Sequence, residues 1–274
     1  FDRKRGHFYE MLHPVCCCVG PSDSRPSSNY TSVWKGILTL MHESGHGIYN
    51  YSSNEKVIQY GLWGGIYGTG HESQSRFYEN MIGKSRAFWQ YFYPLVQEKI
   101  PRLRGVPLSS FYPALTAARP TAKRTDADEL TYGLHVIIRY EMERDYFSGR
   151  LKIEDFRKEW NQKYKDYLGI TFRNDREGIL QDVHWASGCV GYFQSYLLGD
   201  ICACQIRHKM LSDIPDMDEQ ISKGRMDSVN RWLYQKIHQY GQVYRVSEIM
   251  KKATGEDINE KYFLDYLREK YLAD

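Results

Sequence analysis

Leu40-Met41-His42-Glu43-Ser44-Gly45-His46-Gly47-Ile48-Tyr49 contains the word H-E-x-x-H inside a segment with helical periodicity. On an α-helix, positions i and i+4 lie about one turn apart on the same face. His42 and His46 can therefore present two imidazole nitrogens to one metal ion. Glu43, beside the first of them, can reach a water held by that ion. The same five-residue word also occurs on solvated surface helices. Here Val33, Trp34, Ile37, Leu38 and Met41 form an apolar run of helical period leading into it, which predicts a buried helix over residues 33–52. Burying two His and a Glu there without a partner would be costly, and a metal relieves that penalty.

A hydrolytic zinc site takes three protein ligands and leaves the fourth position open. Beyond the glycine-dense Gly61-Leu62-Trp63-Gly64-Gly65-Ile66-Tyr67-Gly68, where the chain can turn back, a second segment of helical character begins at Gly70-His71-Glu72-Ser73-Gln74-Ser75-Arg76-Phe77-Tyr78-Glu79. His71, Glu72 and Glu79 could each reach a metal on spacing alone. Glu72 is the preferred third ligand, because a carboxylate completes a two-histidine hydrolytic site. His71 and Glu79 suit hydrogen bonding behind the ligands, or a solvated face.

His42-Glu43-Ser44-Gly45-His46 followed by His71-Glu72-Ser73-Gln74-Ser75-Arg76 resembles the carboxypeptidase Taq family, the thermostable-carboxypeptidase metallopeptidases. Further family words follow in order. Arg124-Thr125-Asp126-Ala127-Asp128-Glu129 resembles I-R-x-x-A-D, with Lys123 in place of the aliphatic residue. Gly178-Ile179-Leu180-Gln181-Asp182-Val183-His184-Trp185 matches G-x-x-Q-D-x-H-W. Upstream, His13-Pro14-Val15 and Asp23-Ser24-Arg25-Pro26-Ser27 are worn copies of H-P-F and D-x-R-x-T. The resemblance runs to Tyr262-Phe263-Leu264-Asp265-Tyr266-Leu267. It implies a zincin-like helical metallopeptidase domain with few short strands. It also implies that this chain is a single catalytic domain over 1–274, the C-terminal portion of longer family members whose N-terminal portion helps roof the cleft.

With 274 residues the chain can bury a sizeable core. The net charge is +3 with acids and bases interspersed, so no basic surface for nucleic acid stands out. No apolar run reaches the about 18 residues that cross a bilayer, so no membrane partner is expected. Phe1-Asp2-Arg3-Lys4-Arg5 lacks the apolar core of a secretory leader. Cys16-Cys17-Cys18, Cys189, Cys202 and Cys204 lack both disulfide-framework and C-x-x-C spacing, which predicts reduced thiols and a cytoplasmic setting.

Periodicity elsewhere makes the architecture mainly α. Residues 1–32 read as loop or short strands broken by Pro and Gly, and residues 71–98 as one continuous second helix. Residues 101–120 read as a connection. Asp126 or Asp128 can cap a helix whose apolar face carries Leu130, Leu134, Ile137, Ile138 and Met142. Further helices are predicted over 153–168, ended by Gly169, and over 227–240 and 259–272. The small-residue run after the last motif reads as a buried helix close against the site.

The chemistry expected is metal-assisted peptide hydrolysis. His42, His46 and Glu72 hold one divalent ion, zinc first and cobalt second, and Glu43 acts as general base and then general acid. The resemblance implies that His184 and Tyr192 supply hydrogen bonds to the oxyanion, and that Arg124 binds the free C-terminal carboxylate of a peptide substrate. Arg25 is a second candidate for substrate contact. Asp182 and Asp128 are both candidates to orient a ligand imidazole. Family members are homodimers by the same resemblance. The alternatives are a truncated, inactive metal-binding remnant, or an endopeptidase on a similar helical scaffold.

Overall fold

The computed structural model describes residues 1–30 and 32–272. Three short strands open the chain: β1 (Tyr9–Glu10), β2 (Cys16–Gly20) and β3 (Asp23–Ser28). Then come α1 (Val33–Tyr51), α2 (Glu55–Gln59), α3 (Thr69–Arg76), a π-helical stretch over Phe77–Ile82, α4 (Arg86–Lys99) and α5 (Leu108–Leu115). They are followed by α6 (Glu129–Phe147), α7 (Phe156–Leu168) and α8 (Gln194–Asp213). The chain closes with α9 (Met217–Ser222), α10 (Asp227–Lys236), α11 (Val246–Thr254) and α12 (Lys261–Tyr271). The fold is mainly α, as the periodicity predicts. Among the described residues no helix is long and apolar enough to cross a membrane.

The elements group into two compact units, Phe1–Leu115 with Leu198–Tyr266, and Thr116–Leu197 with Leu267–Asp274. In the first, the strands form one sheet in the order β1-β3-β2. β2 pairs antiparallel with β3, Cys17 opposite Arg25, and β1 pairs parallel with β3, Tyr9 opposite Ser27. The helix α1 packs along β3 and α3. The core centres on Phe77, Trp89, Ile206, Met210 and Leu233, all fully buried.

The expected single helix over 71–98 is broken. After α3 the chain passes through the π-helical stretch and a turn at Gly83-Lys84. It restarts where the Ser85 hydroxyl accepts the Phe88 N–H. The expected connection over 101–120 contains α5 despite Pro113, because Phe111 is buried, stacked on Tyr93 with centroids 4.3 Å apart and packed beside Trp89. Tertiary packing outweighs the proline signal there.

In the second unit α6 starts where expected. Asp128 accepts the backbone N–H groups of Leu130 and Thr131, both at 2.9 Å. Of the expected face, Ile138 and Met142 are buried with Leu134 packed beside them and Leu130 is exposed; Tyr132, His135, Val136 and Arg139 widen the buried side. α7 lies on α6 and ends at Gly169, whose φ of 68° is the left-handed stop predicted from sequence.

Candidate metal centre and active site

The site grows from one close approach of two helices. Gly45, inside the H-E-x-x-H word, faces the backbone of α3. A Cβ at that position would lie 2.6 Å from the Gln74 carbonyl oxygen and 2.8 Å from Ser75 Cα. Only glycine lets α1 and α3 come this near, and the approach brings Glu72 under the two imidazoles. On the other side of α3, α8 passes behind Glu72 at Gly199, as expected of a buried helix close against the site.

His42 and His46 stand one turn apart with ring centroids 4.9 Å apart. The Glu72 Oε2 atom lies 3.6 Å from His42 Nε2 and 3.8 Å from His46 Nε2. One donor atom from each of the three residues falls within 4.8 Å of the others. A tetrahedral ion with donors at about 2.0–2.1 Å places them about 3.3–3.5 Å from one another, so this donor set fits a zinc-like ion with little movement. Ser75 Oγ donates to Glu72 Oε2 at 2.9 Å and holds the carboxylate in place.

Each imidazole is anchored from behind. His42 Nδ1 donates to Glu79 Oε2 at 2.9 Å, which leaves Nε2 as the lone pair facing Glu72. Burial alone would push the Glu79 carboxyl up, but Arg76, Lys84 and His42 hold it well below the usual carboxylate range. Arg76 Nη1 donates to the same oxygen at 3.1 Å. Burial would likewise lower His42, and the hydrogen bond and charge of Glu79 raise it instead. His46 Nδ1 lies 3.2 Å from Nδ1 of His71. Burial, then the charges of His42 and His71, push His46 well below the ordinary imidazole value, which favours the neutral ring that a ligand must be.

Glu43 is 7% exposed and sits between this cluster and the edge strand β2. The backbone of Cys16 faces it and opposes the rise of its carboxyl. Burial first, with the carboxylates of Glu72 and Glu79 adding to it and His42 opposing, lifts its carboxyl to about 7. That is the range in which a carboxylate both accepts and returns a proton at neutral pH. Cys16 was not singled out from sequence; a backbone group on an edge strand leaves no mark in residue type.

The partner behind His42 is therefore Glu79, and neither Asp182 nor Asp128 takes that role. Asp128 caps α6. Asp182 accepts from two guanidiniums of its own unit: Arg124 Nε and Nη2 reach Oδ1 at 3.0 and 2.8 Å, and Arg139 Nε reaches Oδ2 at 2.7 Å. The Arg124 guanidinium, expected to bind a substrate carboxylate, is matched here to an internal one. Its Nη1 donates to the Tyr132 hydroxyl at 3.0 Å, and the residue is buried. Arg139, fully buried, was missed. Its one sequence signal is a charge four residues after His135, between the apolar Ile138 and Met142.

His184 Nε2 lies 3.0 Å from the Tyr196 hydroxyl, and the Tyr192 ring packs edge-on against Tyr196. Both residues belong to the second unit, as Arg124 does. Arg25 sits on β3, exposed, with its fork closed on Asp23 at 2.7 Å. The structure brings together His42, Glu43, His46, Glu72 and Glu79, all in the first unit.

Comparison with known proteins agrees with this picture. The chain matches the family described as carboxypeptidase Taq (M32) metallopeptidase over residues 1–271. It is 42% identical over 274 residues to carboxypeptidase 1 of Bacillus subtilis, covering 99% of this chain and 55% of that protein. It is 37% identical over 262 residues to thermostable carboxypeptidase 1 of Pyrococcus furiosus, covering 95% of this chain and 52% of that protein. The crystal structure of an M32 carboxypeptidase from Deinococcus radiodurans superposes with a TM-score of 0.95 at 32% identity, over 98% of this chain and 55% of that one. The chain spans about half the length of the relatives it matches. A family match over residues 1–271 and a His-His-Glu cluster built from the H-E-x-x-H helix and α3 place this chain in the carboxypeptidase Taq (M32) family of metallopeptidases.

Proposed function

We propose that the chain is a metal-dependent carboxypeptidase that releases C-terminal amino acids from peptides. The observation that carries this is the convergence of His42, His46 and Glu72 with the buried carboxyl of Glu43 alongside. His42 and His46 through Nε2, and Glu72 through a carboxylate oxygen, would hold one divalent ion, zinc first and cobalt second. Such an ion, when bound, supplies a Lewis acid that polarises the scissile carbonyl and acidifies water.

This chain's own groups do the rest. Glu43 takes the proton of the attacking water and passes it to the leaving amine. Glu79 and Ser75 keep the ligand side chains in register. His184 and Tyr192 are the family motif's candidates to donate to the oxyanion. Arg124 is its candidate for the substrate carboxylate, a role in which it would share its guanidinium with Asp182; Arg25 would open from Asp23 to take part. All six cysteines are thiols, which supports a reducing, cytoplasmic setting; a homodimer rests on the family resemblance.

An inactive metal-binding chain is the second reading. It is favoured by an apolar groove of about 590 Å³ on the face of α1 turned away from the ligands, lined by Ile37, Met41, Ile48, Phe88 and Phe92. The test offers N-blocked dipeptides, with free or amidated C-termini, to the zinc- or cobalt-loaded chain. Release from the free acids alone supports the carboxypeptidase. Cleavage of both forms supports an endopeptidase, and tight zinc binding without cleavage supports the inactive reading.

A further inference from the structure

His71 precedes the third ligand on α3 and stands behind His46. Its ring lies against those of His46 and Tyr49, with centroids 5.3 and 5.1 Å away. Its Nδ1 is 3.2 Å from Nδ1 of His46. Two ring nitrogens at that separation need one hydrogen between them, because two lone pairs or two N–H groups would repel. His46 turns Nε2 toward Glu72, and a nitrogen that donates to a metal carries no hydrogen. A neutral His46 with bare Nε2 holds its hydrogen on Nδ1. The bond therefore has one sense: His46 Nδ1–H donates, His71 Nδ1 accepts, and the hydrogen of His71 resides on Nε2.

We infer that His71 is a positioning residue that fixes the tautomer and ring plane of the ligand His46, as Glu79 does for His42. The inference rests on the metal reading proposed above. The two supports differ in charge, and the surroundings explain why. Glu79 is a carboxylate offset by Arg76 and Lys84, at 3.1 and 3.9 Å. Among the described residues no cation pairs with His71. The neighbours of His71 are Tyr49 and, across that ring, His238, whose Nε2 is bonded to Gln74 Oε1 at 2.8 Å. A carboxylate at position 71 would join Glu43, Glu72 and Glu79 as a fourth acid around two imidazoles. A neutral acceptor holds the ring without that repulsion.

The test measures zinc affinity of the chain by competition with a chromogenic chelator, for wild type, His71→Phe, His71→Asn and His46→Ala. His71→Phe keeps an aromatic ring and removes the acceptor, so it should weaken zinc binding by about 10–100-fold. His71→Asn, whose side-chain oxygen can accept, should recover most of that loss. The zinc-free variants should melt with the wild type. Long-range nitrogen–proton NMR of the zinc-loaded wild type should show the His46 hydrogen on Nδ1, bonded to a bare Nδ1 of His71. Wild-type zinc affinity in His71→Phe, or a His71 hydrogen on Nδ1, overturns the inference. Equal zinc binding by wild type and His46→Ala overturns the metal reading itself, a separate result. If His71→Phe does not fold, the wild-type nitrogen spectrum decides.

Discussion

Asp182→Asn should loosen the second unit more than any surface change, and the structure sets the size of the effect. One carboxylate serves two guanidiniums, with Arg124 on Oδ1 and Arg139 on Oδ2. The three side chains are 8, 9 and 0% exposed, so water screens little of the interaction. The amide keeps the shape, removes the charge and turns a donor toward one guanidinium. Breaking a buried pair while leaving its partner charged costs about 3–5 kcal/mol. The acid limb gives a second handle. Burial would raise the Asp182 carboxyl, but Arg139 and Arg124 hold it at about 2, below the ordinary 3.8. A depressed carboxyl contributes stability that is full above the ordinary value and lost as pH falls through about 2. The difference is worth about 2 kcal/mol. Hydrogen exchange in peptides from α6 and α7, followed by mass spectrometry, reads the opening of this unit alone. Protection in the variant should fall by the stated energy, and its loss between pH 4 and 2 should flatten. A loss below about 1 kcal/mol, or an unchanged acid limb, refutes the bridging role.

The triple change Arg124→Met, Arg139→Met, Asp182→Leu should be milder than Asp182→Asn alone, since no buried charge is left unpaired; the same exchange measurement checks it. Glu43→Gln should lower kcat by about 10²–10⁴-fold while zinc affinity stays near wild type, as read by dipeptide hydrolysis beside chelator competition. Glu79→Gln keeps an acceptor without its charge and should weaken zinc binding by about 10-fold or more in that competition. Gly45→Ala should cost about 1–3 kcal/mol in urea unfolding despite alanine's better helix propensity, because its methyl meets the α3 backbone at 2.6 Å. It should also weaken zinc binding.

Local spacing carried the reading of His42, Glu43 and His46, because helical geometry alone puts i and i+4 on one face. The same holds for the start of α6 at Asp128 and the stop of α7 at Gly169, where one residue's hydrogen bonds or backbone freedom suffice. The mainly α class followed from periods within single helices. Other features depended on groups distant in sequence. Spacing left His71, Glu72 and Glu79 as candidate ligands, and the choice of a carboxylate was a chemical one. The crossing of α1 and α3 at Gly45 is what seats Glu72 beneath the rings and Glu79 and His71 behind them. Asp182 stands beside Asp128 as a candidate imidazole acceptor on sequence because nothing in its motif reveals Arg139 on α6. The stripe of α6 that meets α7, Leu134, Ile138 and Met142, was legible from its period, whereas Tyr132 and Val136 are covered by Phe193, distant in sequence. Ligand type is a property of residues close in sequence, whereas the partner of each charge is set by helix contacts that only the folded chain makes.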